Sequence, residues 1–136
     1  MDGPTRISTG LLAQIRAHAL DDPDREGCGV LLGRWDRIEA FLPARNVAAD
    51  PRTSFEIDPA ALFAAHRSTR SGGLAPIGHY HSHPTGSAWP SAGDAAGSGG
   101  GAALWLIVTG DDARLFRENA GGSIQGAFEP ATLLVD

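Results

Sequence analysis

Apolar residues recur along the chain at two spacings, which predict where helices and strands lie. Leu11, Ile15 and Ala19 are four residues apart, so residues 8–20 are predicted to form a helix with one apolar face. Shorter apolar runs, bounded by Gly, Pro or polar residues, favour strands. These runs cover residues 29–33, 37–42, 55–57, 74–83, 104–108, 113–117, 124–128 and 132–135. The alternation predicts a mixed α/β fold.

A second helix has clear signals at both ends. Asp58 is a good N-cap and Pro59 suits the first helical position, while the polar residues 68–73 form the exit. Residues 85–101 are rich in Gly, Ser and Pro, which is typical of a loop. Because no repeat or linker interrupts this pattern, we expect a single domain over residues 1–136.

Length and composition fit one globular domain. The chain has 136 residues and a mass of 14.1 kDa, with 42% hydrophobic and 20% charged residues. No apolar run approaches the roughly 20 residues that cross a bilayer, and the first residues do not resemble a secretion signal. Cys28 is the single cysteine, so the sequence excludes an internal disulfide framework and a multi-cysteine zinc site. We therefore expect a cytoplasmic protein with no membrane partner.

The charge balance argues against nucleic acid as a partner. The chain carries 16 Asp and Glu residues against 11 cationic ones, for a net charge of −5. All of the cations are Arg, and they are scattered along the chain. Domains that bind nucleic acid usually concentrate positive charge on one face. The sequence does not indicate an oligomeric state.

Candidate chemistry is concentrated in the predicted strand over residues 74–83. Alternate residues of a strand share a face with their Cα atoms about 6–7 Å apart, so His81 and His83 place two imidazoles on the same side. Pro84 ends the strand, and the ten residues before Asp94 are enough for a loop to return a carboxylate to the same point. Two His and one Asp suit zinc and leave a fourth position for water. The pattern predicts an open, catalytic type of zinc site.

Two further residues complete this predicted site. Zinc would lower the pKa of a bound water towards about 7, and a general base is still needed to take its proton. Glu26, just before the predicted strand over residues 29–33, is the candidate. Ser91 lies three residues before Asp94, from where it could donate a hydrogen bond to a developing oxyanion.

These residues, in this order and at these intervals, resemble the JAMM (MPN+) metalloprotease signature. That signature is a distant Glu followed by His-x-His-Pro, ten residues and Asp. Three other segments resemble small prokaryotic members of the family, namely residues 26–33, 46–48 and 55–59. The resemblance implies that His81, His83 and Asp94 hold zinc. It also implies that Glu26 is the acid/base and that Ser91 stabilises the oxyanion.

The same resemblance implies a fold and an activity. The fold is a single-domain MPN (JAB) fold, in which a curved mixed β-sheet is flanked by helices on both sides, as in cytidine deaminases. Deaminase activity itself is excluded, because the chain lacks His-x-Glu and Pro-Cys-x-x-Cys. The implied reaction is hydrolysis of the peptide or isopeptide bond after the C-terminal Gly-Gly of a ubiquitin-like or sulfur-carrier protein. Two alternatives remain: a zinc peptidase acting on cell-wall or phage-tail peptides, and a non-catalytic MPN binding scaffold.

One segment departs from the family pattern. After Asp94 the family usually continues into a helix, whereas residues 97–101 of this chain are almost all Gly. Because each interior Gly costs about 1 kcal/mol of helix stability relative to Ala, any helix here is expected to be short or mobile. This departure affects the expected shape of the substrate groove rather than the metal site.

The remaining polar and aromatic candidates have simpler interpretations. We expect His79 to be a packing or rim residue and Cys28 to be a small buried residue, because no cation lies near the thiol in sequence. His18 and His66 are isolated in helices and are expected at the surface. For Trp89 two roles remain open, a wall that contacts substrate or a plug within its loop.

Overall fold

The computed structural model describes residues 3–84 and 86–136, and it contains eight strands and three helices in that part of the chain. In chain order these are β1 (Thr5–Ile7), α1 (Thr9–Ala19), β2 (Cys28–Arg34), β3 (Arg37–Ala44), α2 (Pro59–Arg70), β4 (Ala75–Ser82), α3 (Ala92–Ala96), β5 (Leu104–Val108), β6 (Ala113–Glu118), β7 (Phe128–Ala131) and β8 (Leu133–Val135). None of the helices in the described residues is long and apolar enough to cross a membrane.

The eight strands form one strongly curved sheet. Their order is β7-β6-β5-β4-β2-β3-β1-β8, with parallel pairs at β1–β3, β1–β8 and β4–β5 and antiparallel pairs elsewhere. Strands β7 and β8 lie at opposite ends of this order, although only Thr132 separates them in the chain. The sheet must therefore curl until its two ends approach each other. This confirms the curved, mixed sheet expected from the sequence.

Helices cover both faces of the sheet. On one face α1 packs Ile15 and Ala19 into a core with residues of β2, β4 and β5. On the other face Trp105, Ile107 and Phe116 form a second core, against which Ala95 of α3 packs. Helix α2 lies on this second face as well. The two faces of the sheet thus differ: the face with α1 carries the larger apolar core, and the face with Trp105 holds the candidate site.

Both long helices begin where the sequence predicts. The Ser8 Oγ accepts a hydrogen bond from the Leu11 N–H at 3.1 Å, and an Asp58 carboxylate oxygen accepts one from the Ala60 N–H at 3.0 Å. Each bond satisfies an N–H that has no partner within its helix. Pro59 occupies the first turn of α2, as expected.

The predicted strand over residues 124–128 is wrong. Gln125 and Gly126 have φ angles of 54° and 69°, so the chain turns there instead of extending. The Phe128 N–H donates back to the Ile124 carbonyl at 3.0 Å and closes this turn. The strand, β7, begins only at Phe128 and runs to Ala131.

Four other expectations need correction. Strand β1 was not predicted, because three residues are too short a pattern to stand out. Strand β3 continues through Pro43. The proline is tolerated because β1 pairs with β3 only at Arg37, so the Pro43 end of β3 has no partner strand on that side.

His18 is half-buried rather than at the surface, since its Nδ1 lies 2.7 Å from the Tyr80 hydroxyl. Residues 55–57 contribute only an isolated bridge to residue 46, and Thr85, in the expected loop, lies outside the described residues.

Candidate metal centre

Two imidazoles lie at the C-terminal end of β4, which is a central strand of the sheet. His81 is fully buried and pairs across the sheet with Cys28 of β2 and Ile107 of β5. His83 is one residue past the strand, and its N–H donates to the Val108 carbonyl at 3.0 Å, so it continues the direction of β4. The predicted placement of both rings on one face is confirmed.

The carboxylate of Asp94 approaches from α3. Asp94 occupies the third position of this short helix, and its own N–H donates to the Ser91 Oγ at 3.0 Å. In return the Ser91 N–H donates to the Asp94 Oδ2 at 2.9 Å. This reciprocal capping box fixes the carboxylate relative to the helix. As expected, the helix is short, because it ends at Gly97 after five residues.

Glu26 reaches the same point from the loop before β2. Its side chain is buried, and its backbone N–H donates to the Pro51 carbonyl at 2.7 Å. One ligand-type atom from each of Glu26, His81, His83 and Asp94 lies within 4.8 Å of every other. Residues from three separate parts of the chain therefore converge on one small volume.

In the neutral His83 ring, a lone pair rather than a hydrogen points at the Asp94 carboxylate. The His83 Nδ1 lies 2.8 Å from the Ser87 carbonyl oxygen, which can only accept, so Nδ1 carries the proton in the neutral ring. The His83 Nε2 is then an unprotonated acceptor, yet it lies 3.2 Å from the Asp94 Oδ2 and 3.1 Å from the His81 Nε2. A cation between these atoms removes the repulsion. The chemistry of the donor set therefore fits a metal ion.

An unpaired buried oxygen adds to this fit. Among the described residues, the Glu26 Oε1 is buried without a hydrogen-bond partner. Buried carboxylate oxygens are rarely left unpaired, so an orphan of this kind points to a partner such as a water or an ion. The oxygen lies beside the two imidazoles and the Asp94 carboxylate. Two His, one Asp and a nearby Glu match a divalent metal site with nitrogen and oxygen ligands.

Burial and charge shift the ionisation of each of these groups. Burial raises the pKa of Glu26 to about 7, with the charge of Asp94 adding to the rise and His83 opposing it. Burial also lowers the pKa of His81. For His83 burial acts downwards, but hydrogen bonds to Asp94 and to the Ser87 carbonyl outweigh it and leave the pKa raised. Burial alone would raise the pKa of Asp94, and the two imidazoles reverse this and hold it well below its usual range.

The comparison with protein families decides the classification. Residues 8–119 match the family model described as prokaryotic homologs of the JAB domain. The chain belongs to this family. The match includes Glu26, His81, His83, Ser91 and Asp94, and it confirms the family that the sequence motif suggested.

Two relatives of this JAB-domain chain are proteases or related enzymes by their names. A probable TtuB-protein conjugate cleaving protease from Thermus thermophilus is 40% identical over 85 residues, which are 62% of this chain and 57% of that protein. A desampylase from Haloferax volcanii is 37% identical over 103 residues, which are 74% of each protein. The chain thus spans little more than half of the first relative and three quarters of the second.

Two other relatives point in different directions. A CysO-cysteine peptidase from Mycobacterium tuberculosis is 33% identical over 87 residues, or 62% of this chain and 59% of that protein. The tail tip assembly protein K of Escherichia phage N15 is 35% identical over 95 residues, or 70% of this chain but only 37% of that protein.

Solved structures confirm the JAB fold. A solution structure of a protein from Desulfitobacterium hafniense matches with a TM-score of 0.81 at 23% identity, covering 97% of this chain and 92% of that one. The crystal structure of a JAB1/MPN domain protein from Archaeoglobus fulgidus matches with a TM-score of 0.61 at 21% identity, covering 98% and 99% of the two chains. At these identities the likeness establishes the fold alone.

The other residues singled out in this JAB-domain sequence lie around the cluster. The His79 ring packs against Trp105 with 4.2 Å between centroids, and burial lowers the pKa of His79 to about 3, in agreement with a packing role. Cys28 is buried, as expected, and burial raises the pKa of its thiol to about 11. Trp89 is 44% exposed and packs against Phe116, so both of its proposed roles stay open. His66 is exposed, as expected.

Sequence reasoning missed two residues that support the site. Phe55 stacks on the His81 ring, with centroids 4.2 Å apart and planes 20° from parallel. The Asn46 amide donates to the carbonyls of Glu26 at 2.9 Å and Ser54 at 3.0 Å, and its oxygen accepts from the Glu56 N–H at 3.1 Å. Asn46 thus ties the backbone of Glu26 to the loop that carries Phe55. Both residues lie within segments that resembled the family, but no local pattern indicated these contacts.

Proposed function

We propose that this chain is a zinc peptidase that hydrolyses the bond after the C-terminal Gly-Gly of a ubiquitin-like or sulfur-carrier protein. The observation that carries the proposal is the convergence of Glu26, His81, His83 and Asp94 within 4.8 Å. The relatives support the substrate class, since their names describe proteases of TtuB conjugates, a desampylase and a CysO-cysteine peptidase.

His81, His83 and Asp94 are the proposed zinc ligands. Two imidazoles and one carboxylate give zinc three protein ligands and leave one coordination position open. Zinc bound there supplies a Lewis acid, which polarises a carbonyl and makes water more acidic. The Ser87 carbonyl holds the His83 ring in the tautomer whose Nε2 is free to coordinate. The capping box with Ser91 holds the Asp94 carboxylate in place.

Glu26 is the proposed general base and acid. Its carboxylate lies beside the proposed ligands, where it can take a proton from an attacking water, and in the metal-free chain burial raises its pKa to about 7. Glu26 takes a proton from the attacking water and returns it to the leaving amine. The Asn46 amide fixes the backbone of Glu26 through its carbonyl oxygen.

Ser91 is the proposed donor to the oxyanion. Its Oγ already accepts the Asp94 N–H, but a hydroxyl can accept and donate at once, so its hydrogen remains available. Its position three residues before Asp94 keeps this donor next to the ligand set. One such donor contributes roughly 3–4 kcal/mol at most.

A groove beside the ligands provides room for an extended tail. A cavity of about 350 Å³ reaches Asp94. Its walls are mainly apolar and include Phe55, Ile57, Leu62 and Trp105. Apolar walls exclude water from the reacting bond, and two glycines allow the main chain of a tail to approach more closely than larger residues would. The groove thus fits a flexible tail better than a folded surface.

The proposal is tested by mass spectrometry of cleavage products. The substrate is a β-grasp carrier protein extended by one residue or more beyond Gly-Gly, and the comparators are its free tail peptide and Lys-linked diubiquitin. We expect the zinc-loaded protein to cleave the extended carrier fastest, and replacing the penultimate Gly of the carrier by Val to block cleavage. Equal or faster cleavage of diubiquitin or of the free peptide would contradict the substrate assignment.

A second candidate function keeps the same chemistry but changes the substrate. The similarity to a phage tail tip protein favours a peptidase that acts on cell-wall or phage-tail peptides. The discriminating measurement adds peptidoglycan stem peptides to the same assay. Cleavage of these peptides without cleavage of the extended carrier would favour the second candidate.

A further inference from the structure

One buried carboxylate has no part in the proposed reaction. Glu118, at the end of β6, is only 7% exposed. Within residues 3–84 and 86–136, no cationic side chain forms an ion pair with it. A buried charge without a counter-ion is costly unless hydrogen bonds satisfy it. Within the described residues, the Glu118 carboxylate is instead satisfied by two N–H donors.

The first contact is with Trp105, which forms a wall of the metal centre. The indole N–H donates to the Glu118 Oε2 at 2.8 Å. The same indole lies against His79 and faces the edge of His81, at centroid distances of 4.2 Å and 5.7 Å. Because the indole contacts the ring of a proposed ligand, the hydrogen bond that orients Trp105 also limits the movement of His81.

The second contact of Glu118 is with the segment that follows Asp94. The Gly99 N–H donates to the same Glu118 oxygen at 3.1 Å. Gly99 comes five residues after Asp94 and three residues after Ala96, the last residue of α3. The neighbouring Gly100 N–H bonds only locally, to the Ser98 hydroxyl. The Gly99 bond therefore anchors a short helix that has little helical stability of its own.

We propose that Glu118 is a positioning residue for the metal centre, which holds Trp105 behind His81 and the Gly99 segment behind Asp94. A single oxygen accepts both N–H groups, so one side chain couples β5, whose Trp105 packs beside His81, to the segment that follows the helix carrying Asp94. This inference rests on the proposed metal site but not on the identity of the substrate. Residues that hold metal ligands in place without binding the metal themselves typically change metal affinity by about tenfold or more when they are replaced.

The test uses the full chain with Glu118→Ala, Glu118→Gln and wild type, and it measures three quantities. These are zinc affinity in competition with a chromogenic chelator, hydrogen exchange of the Gly99 amide, and the NMR resonance of the Trp105 indole N–H. For Glu118→Ala we expect about tenfold weaker zinc binding, faster Gly99 exchange and a shifted indole resonance. For Glu118→Gln we expect all three to stay close to wild type, because the amide oxygen can still accept both bonds.

Glu129→Ala is the matched control. Glu129 lies on the adjacent β7 and also accepts a backbone N–H, from Ser123 at 2.7 Å, but away from the metal centre. This variant should speed exchange at Ser123 while zinc affinity and Gly99 exchange stay unchanged. If Glu118→Ala does not fold, Glu118→Asp replaces it, because the shorter side chain cannot reach both donors and should show the same losses.

Two results would overturn the proposal. One is a folded Glu118→Ala or Glu118→Asp variant whose zinc affinity and Gly99 exchange equal those of wild type. The other is a Glu118→Gln variant that loses as much as Glu118→Ala, since the acceptor oxygen would then not be what matters. None of these readouts requires cleavage, so a failure to cleave carrier proteins would count against the proposed function and not against the role of Glu118.

Discussion

The His83 imidazole and the Ser87 carbonyl oxygen lie 2.8 Å apart, and this contact decides which nitrogen of His83 can bind a metal. The carbonyl accepts a hydrogen bond from the Nδ1–H, so the Nε2 lone pair points towards His81 and Asp94. A residue four positions along the chain thus sets the tautomer of His83. The metal centre is arranged by the backbone as much as by its side chains.

Removing this ligand should release the metal. In His83→Ala only His81 and Asp94 remain of the proposed zinc ligands, and two ligands hold zinc weakly. We expect wild type to bind one zinc per chain and His83→Ala to bind well below that after gel filtration, as measured by elemental analysis. His66→Ala, which removes an exposed imidazole of α2, should keep full zinc content. Full occupancy in His83→Ala would contradict the ligand assignment.

The two contributions of Ser91 can be separated by comparison with Ser8. Both hydroxyls cap helices, so Ser91→Ala and Ser8→Ala should each cost about 1 kcal/mol of stability. Only Ser91 lies next to the metal centre, so only Ser91→Ala should slow turnover, by less than the replacement of Glu26 does. Urea unfolding and turnover, measured on both variants, check this. Unchanged turnover in Ser91→Ala would reduce Ser91 to a helix cap.

Glu26 should make the metal-free protein less stable as the pH rises. Its pKa is about 7 in the folded chain and 4.5 in its unperturbed state, so the folded chain holds the proton more tightly. The stability that this proton provides is complete below about pH 4.5 and is lost as the pH rises through 7. Glu26→Gln removes this pH dependence. The free energy of unfolding of the variant minus that of wild type should therefore be larger at pH 8 than at pH 4.5, by on the order of 3 kcal/mol.

Urea unfolding in the presence of a chelator measures this difference. Glu39→Gln, at an exposed position of β3, is the control and should track wild type at every pH. A gap between Glu26→Gln and wild type that stays constant from pH 4.5 to pH 8 would show that burial does not shift the pKa of Glu26.

Asn46 should be more important for stability than its place in a loop suggests. Asn46→Ala removes the hydrogen bonds that the amide donates to the Glu26 and Ser54 carbonyls and those that its oxygen accepts from the Ala48 and Glu56 N–H groups, and it leaves these groups without their partner. At about 1 kcal/mol for each net bond, we expect a loss of roughly 4 kcal/mol in the free energy of unfolding. Asn119→Ala, at an exposed position, should change it by less than about 0.5 kcal/mol. Equal effects of the two changes would contradict the role of Asn46.

The sequence predicted those parts of the fold and site that depend on local patterns. The spacing of Leu11, Ile15 and Ala19 predicted α1, and the apolar run at residues 104–108 coincides with β5. Alternation along a strand was enough to place His81 and His83 on one face. The family motif included Glu26, and the structure places its carboxylate beside the two imidazoles.

Features set by distant contacts could not be predicted in this way. The chain turns at Gln125 and Gly126, where both residues have positive φ angles, although the apolar pattern around them favoured a strand. His18 is half-buried because Tyr80, 62 residues away, supplies its partner. The contacts of Phe55 and Glu118 likewise join residues that only the curved sheet brings together.

The most direct test of the central claim is turnover by zinc-loaded Glu26→Gln beside zinc-loaded wild type. The amide matches the carboxylate in size but cannot take a proton from water, so the metal should stay while the chemistry fails. With one zinc per chain in both proteins, we expect wild type to cleave an extended carrier and the variant to be slower by about 10²–10⁴. Wild-type turnover in a zinc-loaded Glu26→Gln variant, or loss of zinc from it, would contradict the account.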